Sequence, residues 1–258
     1  MTGFQTCALP IYLKDYTQPA FWIDTVDLDF VIEAGGTTVT ATLALRRNAE
    51  HPGQPLVLDG EELQTLAVTV DGKTWPKSKP PTTLTLADLP DACTLQTVVR
   101  IDPDKNTRLS GLYRSKDGYF TQCEAQGFRR ITWFLDRPDV MATYTITLHA
   151  DKAAFPVLLA NGNPVAAGDE ADGRHWAKWA DPFKKPAYLF AVVAGKLDVL
   201  RDTFRTASGR NVQLAIYVEP GKLDQCPHAM TALQKSMTWD EERFGLECDL
   251  DHYMIVAV

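Results

Sequence analysis

The chain has 258 residues, 45% of them hydrophobic and 23% charged, with a formal net charge of −7. That length can bury a substantial core in one or two domains, and the composition is ordinary for a globular protein. The acidic balance excludes a non-specific nucleic-acid binder, whose footprint is basic, and no apolar run approaches the ~20 residues of a membrane-spanning helix.

The first two-thirds of the chain reads as β. Thr25 to Ala34 alternates, with Val26, Leu28, Phe30 and Ile32 opposite Asp27, Asp29, Val31 and Glu33. After Gly35-Gly36 the pattern resumes from Thr37 to Arg46, with Val39, Ala41, Leu43 and Leu45 on one side. Two period-two runs joined by a glycine turn predict a hairpin. Strands are also expected at Leu66, Val68 and Val70 before the Asp71-Gly72 turn, at Thr83 to Leu86, at Thr94 to Ile101 and at Met141 to His149. Short strands with many turns predict a sandwich-like domain. Val157 to Ala160, Asn161-Gly162-Asn163 and Pro164 to Ala166 read as one further hairpin. His175 to Ala180 and Pro186 to Ala194 are two more strand candidates.

A new pattern begins after Gly195, which makes that residue a candidate domain boundary. Leu197 to Thr206, the Ser208-Gly209 turn and Asn211 to Val218 predict a hairpin. The one strong helix pattern follows. Asp224 is its candidate N-cap, Pro227 sits in the first turn, and Met230, Leu233 and Met237 recur at helical spacing. Phe244 lies one heptad after Met237, and Gly245 supplies a stop. The methionine stripe reads as core rather than as a cofactor site. The chain then ends on the apolar run Tyr253 to Val258, patterned as a buried strand.

Five cysteines, Cys7, Cys93, Cys123, Cys226 and Cys248, are scattered without C-x-x-C spacing. An odd count of this kind fits a reducing compartment better than a disulfide framework. Met1 to Ile11 lacks the basic and apolar regions of a signal peptide, so a cytoplasmic location is the expectation. Within it, TGFQTCALPI resembles the translation of a common sequencing adapter, differing only at Phe4. That resemblance implies a non-native tail that packs on nothing, with Cys7 of no significance.

The stretch Thr121 to Val140, TQCEAQGFRRITWFLDRPDV, carries the most information. Residues i and i+2 of an extended segment point to one side, so Gln122 and Glu124 are able to face one cleft with Cys123 turned away. A carboxylate beside an amide suits a small cation such as a free amino group. The alternative is a solvated surface ion pair between Glu124 and Arg129 or Arg130, worth little. Pro138 makes DRPD read as a turn after ITWFL. A structural role is the better expectation for Arg129, Arg130 and Arg137.

This stretch resembles the segment of the aminopeptidase N family of zinc metallopeptidases in which a Glu anchors the substrate's free N-terminal amine. The resemblance continues through LLANGNPVA (Leu158 to Ala166), WADPFKKPAYLFAVVAGKLDVLRDTF (Trp179 to Phe204) and MTWDEERFGLECDLDHYMIVAV (Met237 to Val258), and covers roughly Tyr16 to Val258. It implies that Glu124 is the amine anchor and that Gln122 helps line the pocket for the first side chain. It implies a mainly β fold: a sandwich- or saddle-like N-terminal domain over residues 12–194, then the first strands and helix of a truncated thermolysin-like α+β catalytic domain over 195–258. Residues 1–11 form the expected non-native tail. Val258 is read as a truncation, because the family's chain continues there into its catalytic site. The implied substrate is a peptide with a free N-terminus. The implied enzyme is a cytoplasmic monomer without nucleic-acid or membrane partners.

The family's zinc chemistry needs H-E-x-x-H on a helix, a distant Glu ligand and a G-x-M-E-N loop. None occurs in this sequence, and no two of His51, His149, His175, His228 and His252 are four residues apart. The chain therefore has no catalytic or metal residues of that mechanism, zinc belongs to the full-length parent, and the fragment alone is expected to be inactive. Two other readings remain open. One is a stand-alone β-sandwich module that binds peptide or carbohydrate, with Trp176 and Trp179 as an aromatic platform. The other is a related epoxide hydrolase.

Overall fold

The computed structural model describes residues 12–76 and 82–258. The expected tail Met1 to Ile11, with Cys7, lies outside them.

The first hairpin forms as its alternation dictates. Strands β1 (Phe21–Glu33) and β2 (Gly36–Arg47) pair antiparallel from Glu33 opposite Gly36 to Phe21 opposite Arg47. Then follow β3 (Leu56–Asp59), β4 (Gln64–Val70), β5 (Lys73–Thr74), β6 (Thr83–Leu86) and β7 (Ala92–Ile101). A second group comprises β8 (Gly111–Ser115), β9 (Gly118–Gln122), β10 (Met141–Asp151), β11 (Val157–Ala160) and β12 (Asn163–Asp169). The remaining elements are β13 (Arg174–Pro186), β14 (Val192–Gly195), β15 (Asp198–Arg205), β16 (Asn211–Val218), helix α1 (Pro227–Phe244) and β17 (His252–Ala257).

Eight strands form one sheet in the order β12-β13-β10-β1-β2-β7-β4-β5, parallel only between β1 and β10. Its inner face carries the residues that the alternation selects: Val26, Leu28 and Phe30 of β1, Val39 and Leu43 of β2, and Tyr144 and Ile146 of β10 are all buried. A four-stranded sheet, β11-β14-β9-β8, and a two-stranded one, β3-β6, contribute Leu158, Val192, Leu56 and Leu84 to the same core. The fold is mainly β.

The three-stranded sheet β15-β16-β17 is two-faced by its period of two. Val212, Leu214, Ile216 and Val218 pack with Met230, Leu233 and Met237 of α1 in a second apolar cluster. Ala215, Tyr217, Met254 and Val256 face the first core. The methionine stripe is therefore core.

Several expectations are corrected. The hairpin of Val157 to Ala160 with Pro164 to Ala166 does not form: β11 pairs with β14, and β12 pairs with β13 in the other sheet. Gly162, at φ +88°, turns the chain between the two sheets. The candidate strand Pro186 to Ala194 is cut to β14, because Ala187–Leu189 form a 3-10 turn that delivers Phe190 into the core. Asp224 is not the cap of α1. It lies in the 3-10 turn Leu223–Gln225, and the N-cap position falls to Cys226. Phe244 is 59% exposed and meets Trp239 instead of the stripe, since the last helical turn extends beyond the residues packed on the sheet. The terminal strand β17 is half-buried rather than buried; among the described residues it pairs with β16 alone, at the edge of its sheet.

A side chain at Gly162 would run into the carbonyl oxygen of Ala180 while its backbone sits in a left-handed conformation. Gly162→Ala is expected to destabilise the protein by about 1–3 kcal/mol, read as a lower urea midpoint at unchanged slope; an unchanged midpoint would show that the crossing between sheets is slack.

Candidate functional site

The informative segment is a strand end, a turn and a core plug in succession. Strand β9 ends at Gln122, and the side-chain oxygen of Thr121 accepts from the amide of Val192 at 2.9 Å, fastening that end to β14. Gln122 and Glu124 are exposed, and Cys123 between them is 2% exposed. Glu124 lies not on the strand but at the start of a turn, and its peptide bond to Ala125 is cis. Burial pushes the Cys123 thiol well above its ordinary pKa, so it is an inert wall and not a nucleophile.

The turn is closed by the amide of Gly127, which donates to the carbonyl of Cys123 at 2.8 Å. Gly127 has no room for a side chain: a Cβ there would lie 2.5 Å from the carbonyl oxygen of Gln122. The 3-10 turn Phe128–Arg130 then sends Phe128 into the core, where its ring meets Phe134 at 4.7 Å and Phe190 at 5.0 Å.

The two arginines turn away from Glu124. Arg129 donates through its Nε and its backbone amide to one oxygen of Asp136, each at 3.1 Å, and its guanidinium lies 3.4 Å from Asp59. Arg130 pairs with Glu62 at 2.8 Å and Glu61 at 3.1 Å. The surface ion pair of Glu124 with these arginines does not form, and among the described residues Glu124 has no hydrogen-bond or salt-bridge partner. Asp136 is 2% exposed. Burial raises its pKa, and the hydrogen bonds and charge of Arg129 oppose that rise.

Sequence reading missed the partners. DRPD is indeed a turn at Pro138 and Asp139, but Asp136 before it is the carboxylate that holds Arg129. The acidic run Asp59, Glu61 and Glu62, about seventy positions from the arginines, gave no signal except its charge. Arg137 forms a fork on Asp139 at 2.9 and 2.7 Å and donates to the carbonyl of Thr17. The structural role expected of all three arginines fits these contacts.

Beside β14 an apolar cleft separates Asn161 and Ala191 from Leu250 and from Tyr253 and Met254 of the three-stranded sheet. Asn163 and Asp251 bridge the two sides: the Asn163 oxygen accepts from the Asp251 amide at 2.9 Å. Trp176 and Trp179 lie three residues apart on β13 and so on opposite faces. Trp179 is 7% exposed, with its indole N–H donating to the carbonyl of Leu158. The pair forms no aromatic platform.

No group of histidine, cysteine or acidic side chains suited to a metal exists among the described residues. The nearest approach is His149, whose ring nitrogens face Glu170 at 2.6 Å and Asp29 at 3.2 Å. The two carboxylates sit on opposite sides of the ring and do not converge on one point.

Residues 23–189 match the Peptidase M1 N-terminal domain. The chain belongs to this family. It is 52% identical over 249 residues to the aminopeptidase N of Escherichia coli, covering 96% of this chain and 28% of that protein. Against the aminopeptidase N of Caulobacter vibrioides the identity is 48% over 251 residues, covering 96% and 29%. A crystal structure of Legionella pneumophila aminopeptidase A in complex with aspartic acid superposes with a TM-score of 0.90 at 31% identity, covering 95% of this chain and 30% of that one. An M1 zinc metallopeptidase of Deinococcus radiodurans bound to a Tyr-Ser-Ala substrate, at 16% identity and a TM-score of 0.76, shares the fold over 93% of this chain and 57% of its own. This M1 chain thus spans less than a third of the length of the curated relatives it matches.

The far end of the segment yields a pH prediction. Burial alone would raise the pKa of Asp139, but hydrogen bonds from Arg137 and Tyr16 overcome it and hold the carboxyl below its ordinary value. A carboxyl lowered on folding adds stability above its unfolded pKa and loses it as the pH falls through the folded one. Asp139→Asn is therefore expected to lower the urea midpoint at about pH 7 and to have a smaller effect at about pH 3. Equal effects at both would show that charge plays no part.

Proposed function

We propose that this chain is the N-terminal portion of a zinc-dependent aminopeptidase that removes single N-terminal residues from peptides. In this reading Glu124 anchors the substrate's free amino group and Gln122 lines the pocket for the first side chain. The observation that carries it is the isolation of Glu124: an exposed carboxylate on a closed turn, with both neighbouring arginines engaged by other acids. Its membership of the M1 family supplies the reaction class. Residues 12–194 are read as the N-terminal domain and 195–258 as the opening of the catalytic domain, supported by the separate apolar cluster that begins after Gly195. Free thiols at Cys93, Cys123, Cys226 and Cys248 fit a cytoplasmic enzyme of peptide catabolism. The parent is expected to be a monomer.

The residues of this chain do not fit zinc, for its sequence lacks H-E-x-x-H and its histidines are dispersed. Its contribution is recognition. A hydrogen bond to a charged group contributes about 1.5–3 kcal/mol, enough to favour a free amino terminus over an internal peptide bond. Fixing that amine at a set distance from the scissile bond makes cleavage proceed one residue at a time.

In the full-length enzyme, Glu124→Ala is expected to lower kcat/KM on an aminoacyl-arylamide by about ten- to a hundredfold. Gln122→Ala should have a smaller effect that varies with the first side chain. An unchanged kcat/KM for the Glu124 variant would defeat the assignment. The 258-residue chain alone is expected to bind no stoichiometric zinc and to show no peptidase activity.

A further inference from the structure

We propose that Asp136 is a positioning residue for the amine site: it sets Glu124 by clamping Arg129 at the far end of the turn. The inference rests on the reading of Glu124 as the amine anchor. Glu124 has no partner of its own among the described residues, so its place depends on how the two ends of its turn are held. The near end is fixed by β9 and the Thr121–Val192 hydrogen bonds. The far end is fixed by Phe128 in the core and, beside it, by one carboxylate: a single oxygen of Asp136 takes both the backbone amide and the Nε of Arg129. The Asp136 carbonyl accepts a third bond, from Nη2 of Arg129, at 3.3 Å.

Asp136 is suited to this task because it is itself immobile. It is 2% exposed and directly follows Phe134 and Leu135, which are buried, and the Phe134 amide and carbonyl are both bonded to the backbone of Asp59. The carbonyl of Arg129 is held as well, accepting from the amide of Glu61 at 2.9 Å. Between the two fixed ends only Glu124, Ala125 and Gln126 are exposed. Two charge-assisted hydrogen bonds to one rigid acceptor limit the tilt of the turn, and amine recognition tolerates little displacement.

The test is a double-mutant cycle in the full-length enzyme with Asp136→Asn and Glu124→Ala. Asp136→Asn keeps the size of the side chain and one acceptor oxygen but removes the charge. Alone it is expected to raise KM for an aminoacyl-arylamide by about tenfold, and to weaken an α-amino hydroxamate inhibitor similarly. A hydroxamate lacking the amino group should bind as before. In the Glu124→Ala background Asp136→Asn should add little further loss. A full additional loss in that background, or equal weakening of both hydroxamates, would overturn the inference and leave the anchor reading intact. A Glu124→Ala enzyme with unchanged kcat/KM would overturn the anchor reading, and this inference with it. If Asp136→Asn does not fold, as judged by its thermal melt, Arg129→Lys goes through the same cycle under the same criteria, because it keeps the charge but not the planar fork.

Discussion

Phe128 is the point on which the sheets converge. It is fully buried, and its ring lies edge-on to Phe134, Phe190 and Tyr144. Tyr144 belongs to β10 of the eight-stranded sheet, and Phe190 stacks on Phe30 of β1 while leading into β14 of the four-stranded one. Phe134 bridges to Asp59, the last residue of β3. Removing one ring from such a cluster leaves a cavity that rigid sheets cannot collapse to fill. The core therefore dictates where the turn before Phe128 must lie.

That coupling places the residues proposed for recognition and the core plug on the same twenty residues. The exposed side chains Gln122 and Glu124 stand on the strand end and turn, and the buried ones from Phe128 to Leu135 form the plug beneath. Between them the arginines serve as struts. Arg129 is satisfied by Asp136 and Asp59 and Arg130 by Glu61 and Glu62, so neither pairs with Glu124. A loop so fastened has little ordering entropy left to lose when a ligand binds, which is the advantage of preorganisation.

The three-stranded sheet with α1 shows what a period-two pattern does when both faces are needed. Tyr217 and Ile216 are neighbours on one strand, yet they serve different cores. The seam is tied by Asn163 with Asp251 and by Lys116 with Glu219, polar links that fix its register without filling it. Apolar side chains left in the open on this part, Trp239, Phe244 and Leu246, are distributed over the helix end and the loop beyond it.

Much of this was legible in the sequence where physics is local. The β1–β2 hairpin, β10, the β15–β16 hairpin and the methionine face of α1 all follow from side-chain period, because an alternating strand has only one way to hide its apolar half. The exposed–buried–exposed pattern of Gln122, Cys123 and Glu124 agrees with the expectation, although Glu124 lies in the turn that follows β9 and not on the strand. What escaped was pairing at a distance. Nothing local states that β11 leaves its neighbour β12 for β14, or that an acidic run near residue 60 will close on arginines near residue 130. Those partners are chosen by the packing of Trp133, Phe134 and Phe128 in the core. By itself the sequence determined most of the long strands, which of their residues are apolar on one face, and where a carboxylate sits close to an amide. Only the tertiary structure decided that this carboxylate has no partner among the described residues, because the folded core brings Asp136, Asp59, Glu61 and Glu62 to occupy the arginines beside it.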